Sequence, residues 1–299
     1  MNKIARRQVD IFGVKIDSSS TSSLLRFVRS RLSKFPSESD KNEKFYIVTL
    51  NPEQVMRAQT DPVFADILNS SDLAIPDGIG LVAAHKFLTL PRTRSIFLRP
   101  FLYFAQGLGV GFSVLFDRKW LESDLKSLQG RIIFMDLIQL ANEKGWKVIL
   151  IGDKNKSAQK AVTALSKNYK KVHLIGMEGP NLDEDANPKS EKDIEIEKKA
   201  VEKIQQEKPH LLFVGFGAPK QEKWLYRWYD KLQIGGAMVV GGTFDYISGK
   251  TKFPPMWIAN LGLEWLWRLL TGSQKWERIK IAVIDFPLKI FWAKLVNGY

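Results

Sequence analysis

The chain has 299 residues, of which 44% are hydrophobic and 26% are charged, and it contains no cysteine. This balance is typical of a globular protein, and the lack of cysteine excludes disulfides, thiolate metal sites and a cysteine nucleophile. The formal net charge of +13 favours an anionic partner such as nucleic acid, a phosphorylated substrate or an anionic membrane. We predict neither a signal peptide nor a clear transmembrane helix, because no suitable apolar run is present.

Short apolar runs alternate with longer helical patterns along the first 248 residues. A strand or hairpin is predicted at 7–17, followed by strands at 44–50, 73–76, 146–153, 171–179, 209–215 and 236–240. Helices are predicted at 20–32, 51–71 with a break at Asp61-Pro62, 78–88, 131–145, 156–169, 190–208 and after 219. This alternation indicates an α/β fold of Rossmann-like parallel sheets flanked by helices. In the helix at 190–208, the residues expected to face inward are Ile194, Ala200, Val201 and Ile204.

The chain changes character near residue 249. The segment 249–299 holds five of the nine tryptophans and more Lys and Arg than Asp and Glu. Trp257, Leu261, Trp265 and Leu269 form an apolar stripe at helical spacing, which favours a helix lying in a membrane interface. A helix packed on the core is the alternative. We therefore divide the chain into an α/β domain, 1–248, and a mostly helical, membrane-associating appendage, 249–299.

Four predicted strands end in unusual residues, at 49–52, 76–80, 215–222 and 241–245. In parallel α/β sheets, ligands collect at the carboxyl ends of the strands. Glycines there let a ligand approach the backbone, and helix N-termini offer N–H groups to phosphate. Lys220, just inside a helix, adds a positive charge. The set predicts a phosphorylated or nucleotide ligand, although each ending taken singly also fits a plain strand-to-helix turn.

Five motifs occur in a fixed order: TLNPEQV, SDLAIPDGIG, VGFGAPKQEKW, VGGTFDYISGK and GLEWLWRLL. Together they closely resemble those of the WecG/TagA/CpsF glycosyltransferases. The resemblance implies an inverting enzyme that moves N-acetylmannosamine or its uronate from a UDP-sugar donor to a GlcNAc-pyrophosphoryl-polyprenol acceptor. Such enzymes serve bacterial cell-surface polysaccharide and teichoic acid synthesis, and are regarded as metal-independent, so no cofactor is expected. The appendage is expected to hold a cytoplasmic enzyme peripherally on the inner face of the cell membrane, with no nucleic-acid partner; a homo-oligomer is left open.

The resemblance also implies site residues. It makes Asp77 the catalytic base, with Thr49 beside it in the catalytic centre. The residues it implies for substrate binding are Asn51, Gly78, Gly80, Arg131, Asp136, Lys220, Gln221, Gly242, Thr243, Asp245, Arg268, Lys275 and Arg278. Arg268, Lys275 and Arg278, the basic residues of the appendage, are expected to neutralise the diphosphate in place of a metal.

Simpler roles stay open for several of these residues. Asp77 could cap the following helix, Thr49 and Asn51 could form a strand-end turn, and Asp245 could be a cap. The appendage cations could face solvent or lipid headgroups. The acidic run at 183–185 resembles a metal-binding DxD motif but lies in a polar loop, and the three histidines lack ligand spacing, so no metal site is predicted.

The chain departs from the family pattern after residue 89, where residues 90–125 are predicted to be an insertion. It carries an uncharged apolar run at 100–116, predicted to be a re-entrant or interfacial hairpin, with an extra buried helix as the alternative. The cations that flank the run are Arg92, Arg94, Arg99, Arg118 and Lys119.

Two other functions fit the sequence less well. A dinucleotide-dependent oxidoreductase needs GxGxxG after the first strand, which is absent, and the basic residues are too scattered for a nucleic-acid-binding module. Transfer of another hexose or hexuronate, and a nucleotide-binding Rossmann protein without transferase activity, are the remaining alternatives.

Overall fold

Six apolar runs form one parallel sheet in the computed structural model, which describes residues 7–35, 44–153, 155–255, 257–258 and 261–297. The strands are β3 (Phe45–Leu50), β4 (Leu73–Pro76), β5 (Lys147–Gly152), β6 (His173–Glu178), β7 (Leu211–Gly215) and β8 (Gly236–Val239). Their order is β4-β3-β8-β7-β5-β6, and every neighbouring pair is parallel. An antiparallel hairpin of β1 (Gln8–Ile11) and β2 (Val14–Asp17) precedes the sheet. The predicted α/β fold is thus confirmed.

Helices connect the strands and cover the sheet. Those of the first 248 residues are α1 (Thr21–Leu32), α2 (Pro52–Ala58), α3 (Pro62–Asn69), α4 (Ile79–Thr89), α5 (Arg99–Phe116), α6 (Arg118–Leu121), α7 (Gly130–Lys144), α8 (Ser157–Leu165), α9 (Glu191–Glu207), α10 (Lys220–Tyr229) and α11 (Thr243–Ile247). The break predicted at Asp61-Pro62 is present, because Asp61 caps α3 and Pro62 begins it. Gly145 ends α7 in the left-handed conformation, as expected of a helix C-terminus.

Alternate side chains of the central strands enter two hydrophobic clusters, one on each face of the sheet. In β3, Tyr46, Val48 and Leu50 join one cluster, while Phe45 and Ile47 join the other. All six residues of β3 are buried, as expected for a parallel strand with helices on both faces. Helices therefore cover both faces of the central strands, and their carboxyl ends are left along one edge of the sheet.

The C-terminal segment is helical, but it does not form the single stripe that the sequence suggested. It contains α12 (Glu264–Leu270), α13 (Trp276–Lys280), a π-helical turn at Ile281–Asp285 and α14 (Phe286–Asn297). Phe286 and Ile290 of α14 are buried in the same hydrophobic cluster as the β3 side chains Tyr46 and Val48. No helix found in the described parts of the chain is both long and apolar enough to cross a membrane.

Two further expectations were wrong. Ile194, predicted to face inward on α9, is 56% exposed, whereas Ala200 and Ile204 are buried as predicted. The apolar run at 100–116 is neither a hairpin nor a buried helix: it lies within the single helix α5, of which only Tyr103 and Val110 are buried.

Candidate active site

The four strand endings selected from the sequence are neighbours in space. They follow β4, β3, β8 and β7, which are consecutive in the sheet. Because all strands are parallel, their carboxyl ends meet along one edge, which is where ligands bind in such sheets. The turns that carry Asp77, Asn51, Gly242 and Gln221 therefore line a single edge of the molecule.

Asp77 lies directly after β4, and its backbone N–H donates to the carbonyl of Leu50 at 2.6 Å. The turn needs glycine at the next position, because Gly78 has a φ of +89°. The carboxylate oxygen Oδ1 accepts a 3.0 Å hydrogen bond from the N–H of Gly130, at the start of α7. The alternative that Asp77 caps α4 is wrong, since α4 has no side-chain cap. The carboxyl instead holds the N-terminus of a helix distant in sequence.

Thr49 and Gly130 enclose this carboxyl. Thr49 is buried, and a Cβ atom added to Gly130 would lie 2.9 Å from its Cγ2 atom. Only glycine at position 130 therefore lets α7 approach β3 closely enough for its N–H to reach Asp77. The Oγ1 atom of Thr49 lies 3.5 Å from the carbonyl oxygen of Val239, a long contact that leaves the hydroxyl weakly bound.

The pKa of Asp77 is raised above its ordinary value. Burial of the carboxyl is the main cause, and the hydrogen bond from Gly130 opposes it. Among nearby charges, Arg268 and Arg131 lower the pKa while Glu264 raises it. Asp77 as a whole residue keeps some contact with solvent, although protein atoms surround the carboxyl. A carboxylate with raised proton affinity at the end of a strand can act as a general base.

An ion cluster from two distant segments lies beside Asp77. Arg131 on α7 binds Glu264 on α12 through two contacts of 2.6 and 2.9 Å. Arg268, one turn further along α12, lies 3.8 Å from the same carboxylate. The guanidinium carbons of Arg131 and Arg268 also lie 5.8 and 5.9 Å from the centre of the Tyr246 ring. The cluster therefore brings two arginines of the C-terminal and central segments to the Asp77 turn.

One donor of this cluster has no partner. The Nε atom of Arg268 is enclosed and makes no hydrogen bond to any residue that the structure describes. A buried unpaired donor is costly unless something binds it. A phosphate oxygen is a suitable acceptor for a guanidinium donor of this kind.

Gln221 joins two of the strand endings. Its Oε1 atom accepts hydrogen bonds from the N–H groups of Gly217 at 3.2 Å and Gly241 at 3.0 Å. Its Nε2 atom donates to Glu222 at 2.9 Å, and Gln54 donates to the same oxygen at 2.8 Å. Gln221 is only 2% exposed. Its amide thus fixes the turns after β7 and β8.

Glu222 lies in the selected strand ending at 215–222 but was not predicted to be a site residue. It is buried, and burial raises the pKa of its carboxyl to about 7. The Oε2 atom has no hydrogen-bond partner among the described residues. The signal that could have identified it is a charged residue at the start of a helix that follows a buried strand.

The other predicted site residues make local contacts. Asn51 caps α2 in a reciprocal pair with Gln54, which matches the simpler strand-end role. The Nζ atom of Lys220 donates to the carbonyl of Leu182 at 2.8 Å. Thr243 donates to the carbonyl of Val240 at 2.7 Å, and Asp245 pairs with Lys250 at 3.2 Å.

The predicted glycines shape the turns. A Cβ atom on Gly80 would lie 2.7 Å from the Cγ atom of Pro52, so glycine there allows α4 to pack on α2. Gly242 precedes α11 in an open position with no atom near its missing side chain.

Three predicted residues lie apart from the Asp77 cluster. Asp136 is more than one turn beyond Arg131 on α7, and burial raises its pKa. Arg278 pairs with Glu53 on α2 at 2.7 Å, and Lys275 is exposed before α13.

The acidic run at 183–185 folds into a local turn. Asp183 accepts hydrogen bonds from the N–H groups of Asp185 and Asn187, while Glu184 pairs with Arg57 at 2.6 Å and Asp185 with Lys223 at 2.8 Å. Throughout the described ranges, no group of three His, Asp or Glu side chains is arranged to hold a metal.

The family model for the glycosyl transferase WecG/TagA/CpsF family matches residues 9–98 and 108–298. The chain belongs to this family. The resemblance carried by the five motifs is therefore confirmed, and the protein is a member of a glycosyltransferase family. Between residues 9 and 298 the match omits only residues 99–107, at the start of α5, and includes 90–98 and 108–125. Most of the segment predicted to be an insertion therefore matches the family model.

Curated relatives cover most of the chain. The N-acetylglucosaminyldiphosphoundecaprenol N-acetyl-beta-D-mannosaminyltransferase of Bacillus spizizenii is 25% identical over 264 residues, which is 85% of this chain and 84% of the relative. The enzyme of the same name from Bacillus subtilis is 26% identical over 261 residues, with the same coverage. That from Staphylococcus aureus is 27% identical over 288 residues, covering 96% of this chain and 93% of the relative.

Proposed function

We propose that this protein is an inverting glycosyltransferase that moves N-acetylmannosamine from a UDP donor to a GlcNAc-diphosphoundecaprenol acceptor. The observation that carries the proposal is geometric: the Asp77 carboxyl accepts from the N–H of Gly130 at the sheet edge, and the next residue, Arg131, shares the carboxylate of Glu264 with Arg268. A base and a diphosphate-binding pair of cations are what the transfer requires. The names of the curated relatives supply the sugar and the acceptor.

In the proposed reaction, the acceptor hydroxyl oxygen attacks the anomeric carbon of the donor sugar. Asp77 takes the hydroxyl proton as the new carbon–oxygen bond forms. The bond from the anomeric carbon to the β-phosphate oxygen breaks, and UDP leaves with the bonding electron pair. A single displacement of this kind inverts the anomeric centre.

Arg268 has the role of stabilising the departing diphosphate. Its Nε atom has no hydrogen-bond partner among the described residues, its charge acts on the Asp77 carboxyl, and a charge-assisted hydrogen bond to phosphate is strong. Arg131, held by Glu264, adds a fixed positive charge and orients α12 over the site. We propose that these guanidiniums make the transfer independent of a metal ion.

The test is an assay of UDP release with a panel of UDP-sugars and a GlcNAc-diphospho-lipid acceptor, with and without EDTA. We expect release with UDP-N-acetylmannosamine, unchanged by EDTA. A uronate or another hexose as the preferred donor would correct the sugar but keep the reaction, and loss of activity in EDTA would remove metal independence. The proposal would be contradicted if no donor in the panel gave UDP release and UDP did not raise the melting temperature.

A further inference from the structure

The outer face of α5 carries an unusually continuous apolar stripe. Its residues are spaced three or four apart, which places them on one side of the helix. The side chains on α5 and their exposed fractions are Phe101 76%, Phe104 62%, Leu108 61%, Phe112 63% and Leu115 38%; Phe97, in the turn before the helix, continues the row and is 88% exposed. Single exposed apolar residues are common, but a row of six marks an interaction surface.

The opposite face of α5 is firmly attached to the fold. Tyr103 and Val110 are buried in the main hydrophobic cluster. The fully buried Lys294 of α14 donates to the Oε1 atom of Gln106 at 2.8 Å and to the carbonyl of Leu90 at 3.2 Å. Because α5 is anchored through these contacts, its stripe is a fixed feature of the surface.

The charges around the stripe point to an anionic occupant. Between residues 90 and 122 the chain has five basic residues, Arg92, Arg94, Arg99, Arg118 and Lys119, and two acidic residues, Asp117 and Glu122, of which Glu122 lies 4.0 Å from Arg118. The cations lie at both ends of α5, and Trp120, just beyond it, is 37% exposed. Apolar residues between cations and an interfacial tryptophan are typical of a helix lying in the surface of an anionic bilayer.

The C-terminal end of α5 reaches the candidate active site. A Cβ atom added to Gly262, which precedes α12, would lie 3.3 Å from Val114 on α5 and 3.5 Å from Ile79. Ile79 is two residues after Asp77 in the chain. A bilayer that contacts α5 would thus lie close to the turn that carries the proposed base.

We propose that the outer face of α5 is a docking surface for anionic phospholipid, with the helix lying in the plane of the membrane interface. The helix is about 27 Å long at 1.5 Å per residue. It cannot cross the bilayer without losing the contacts of Tyr103 and Gln106 with the fold. A second copy of the chain is a poorer occupant, because it would bring two sets of basic residues together.

This surface is distinct from the C-terminal appendage in which the family resemblance locates membrane association. α14 also exposes Leu288, Trp292 and Val296, by 62%, 64% and 55%. The experiment must therefore separate the two helices.

The test is co-sedimentation of the full chain with vesicles of phosphatidylcholine and phosphatidylglycerol in equal parts. We expect the wild type to bind these vesicles, to bind pure phosphatidylcholine much less, and to bind less in high salt. The double variant Phe104→Glu/Phe112→Glu should bind at least about tenfold more weakly. The matched control Val63→Glu/Ile194→Glu changes two exposed apolar residues on α3 and α9 and should bind like the wild type.

Equal binding by the α5 double variant and the wild type would overturn the proposal, as would loss of binding only in Trp292→Glu on α14. A dimer in sedimentation velocity that dissociates in the α5 variant, without vesicle binding by the wild type, would assign the surface to a second copy instead. Should the double variant fail to fold, Phe104→Ser/Phe112→Ser makes the same comparison without new charge. Sedimentation does not depend on transfer, so this proposal and the proposed function fail separately.

Discussion

The two halves of the sheet's carboxyl edge each enclose one carboxyl with raised proton affinity, but in different surroundings. At the β4 end, Asp77 has arginines nearby and keeps some contact with solvent. At the β7 end, Glu222 is 2% exposed and is bound by the amides of Gln54 and Gln221. A raised pKa therefore marks both residues, while access and neighbouring charge separate a reacting group from a structural one.

The largest expected effect comes from Asp77→Asn. The amide keeps the shape of the side chain and can still accept from Gly130, but it cannot take the acceptor proton. Transfer should fall about 10²–10⁴-fold, while UDP still raises the melting temperature. Initial rates of UDP release and a thermal shift series measure the two effects. Asp66→Asn, at an exposed position on α3, is the control, and a nearly unimpaired Asp77→Asn would assign the base elsewhere.

Glu222→Gln should change the pH dependence of stability. The pKa of Glu222 is raised from 4.5 to about 7 in the folded protein, so folding favours the protonated carboxyl. The stability it contributes is complete below about pH 4.5 and is lost as the pH rises through about 7, by roughly 3 kcal/mol in total. Glutamine does not titrate, so the variant should gain on the wild type between about pH 5 and pH 8. Urea unfolding across this range tests it, and parallel curves would contradict a buried, titrating Glu222.

Gly130→Ala tests the close approach of α7 to β3. The added methyl would lie 2.9 Å from the Cγ2 atom of Thr49, and relieving that overlap should cost about 1–3 kcal/mol. Gly109→Ala on α5 is the matched control, because open space surrounds that position and alanine favours a helix. Urea unfolding should show a loss only at position 130. Equal stabilities would mean that α7 can shift without disturbing the Asp77 turn.

The smallest expected effect is a shift in the pH profile of transfer when one charged residue near Asp77 is neutralised. Removing a positive charge in Arg268→Gln should raise the pKa of Asp77, and removing a negative one in Glu264→Gln should lower it. The base must be deprotonated to react. The acidic limb of the kcat/KM profile should therefore shift to higher pH in Arg268→Gln and to lower pH in Glu264→Gln, each by about one pH unit or less. Shifts in the same direction would show that the limb reports another group.

The sequence predicted the fold and the edge of the sheet well, because apolar runs and glycine turns report local structure directly. It selected Asp77 and Arg131 as candidates but did not predict the groups that they contact. The contact from Asp77 to Gly130 spans 53 residues and the one from Arg131 to Glu264 spans 133, so both depend on tertiary packing. Glu264 does precede Arg268 by four residues on a helix, a spacing that indicates an ion pair.

The exposed face of α5 could not have been predicted from composition. An apolar run of this length fits a buried helix as well as a surface one, and only the docking of Tyr103 and Val110 decides which side faces out. The prediction that Ile194 faces inward was also wrong. Its helical spacing fits the inner face of α9, but the packing of the helix leaves the side chain exposed.

The most direct test compares the two buried carboxyls in one assay of UDP release, using UDP-N-acetylmannosamine and a GlcNAc-diphospho-lipid acceptor. We predict that Asp77→Asn is at least about 100-fold slower than the wild type, whereas Glu222→Gln stays within about tenfold of it. Equal losses in both variants, or a greater loss in Glu222→Gln, would contradict the assignment of the reacting carboxyl to the β4 end of the sheet.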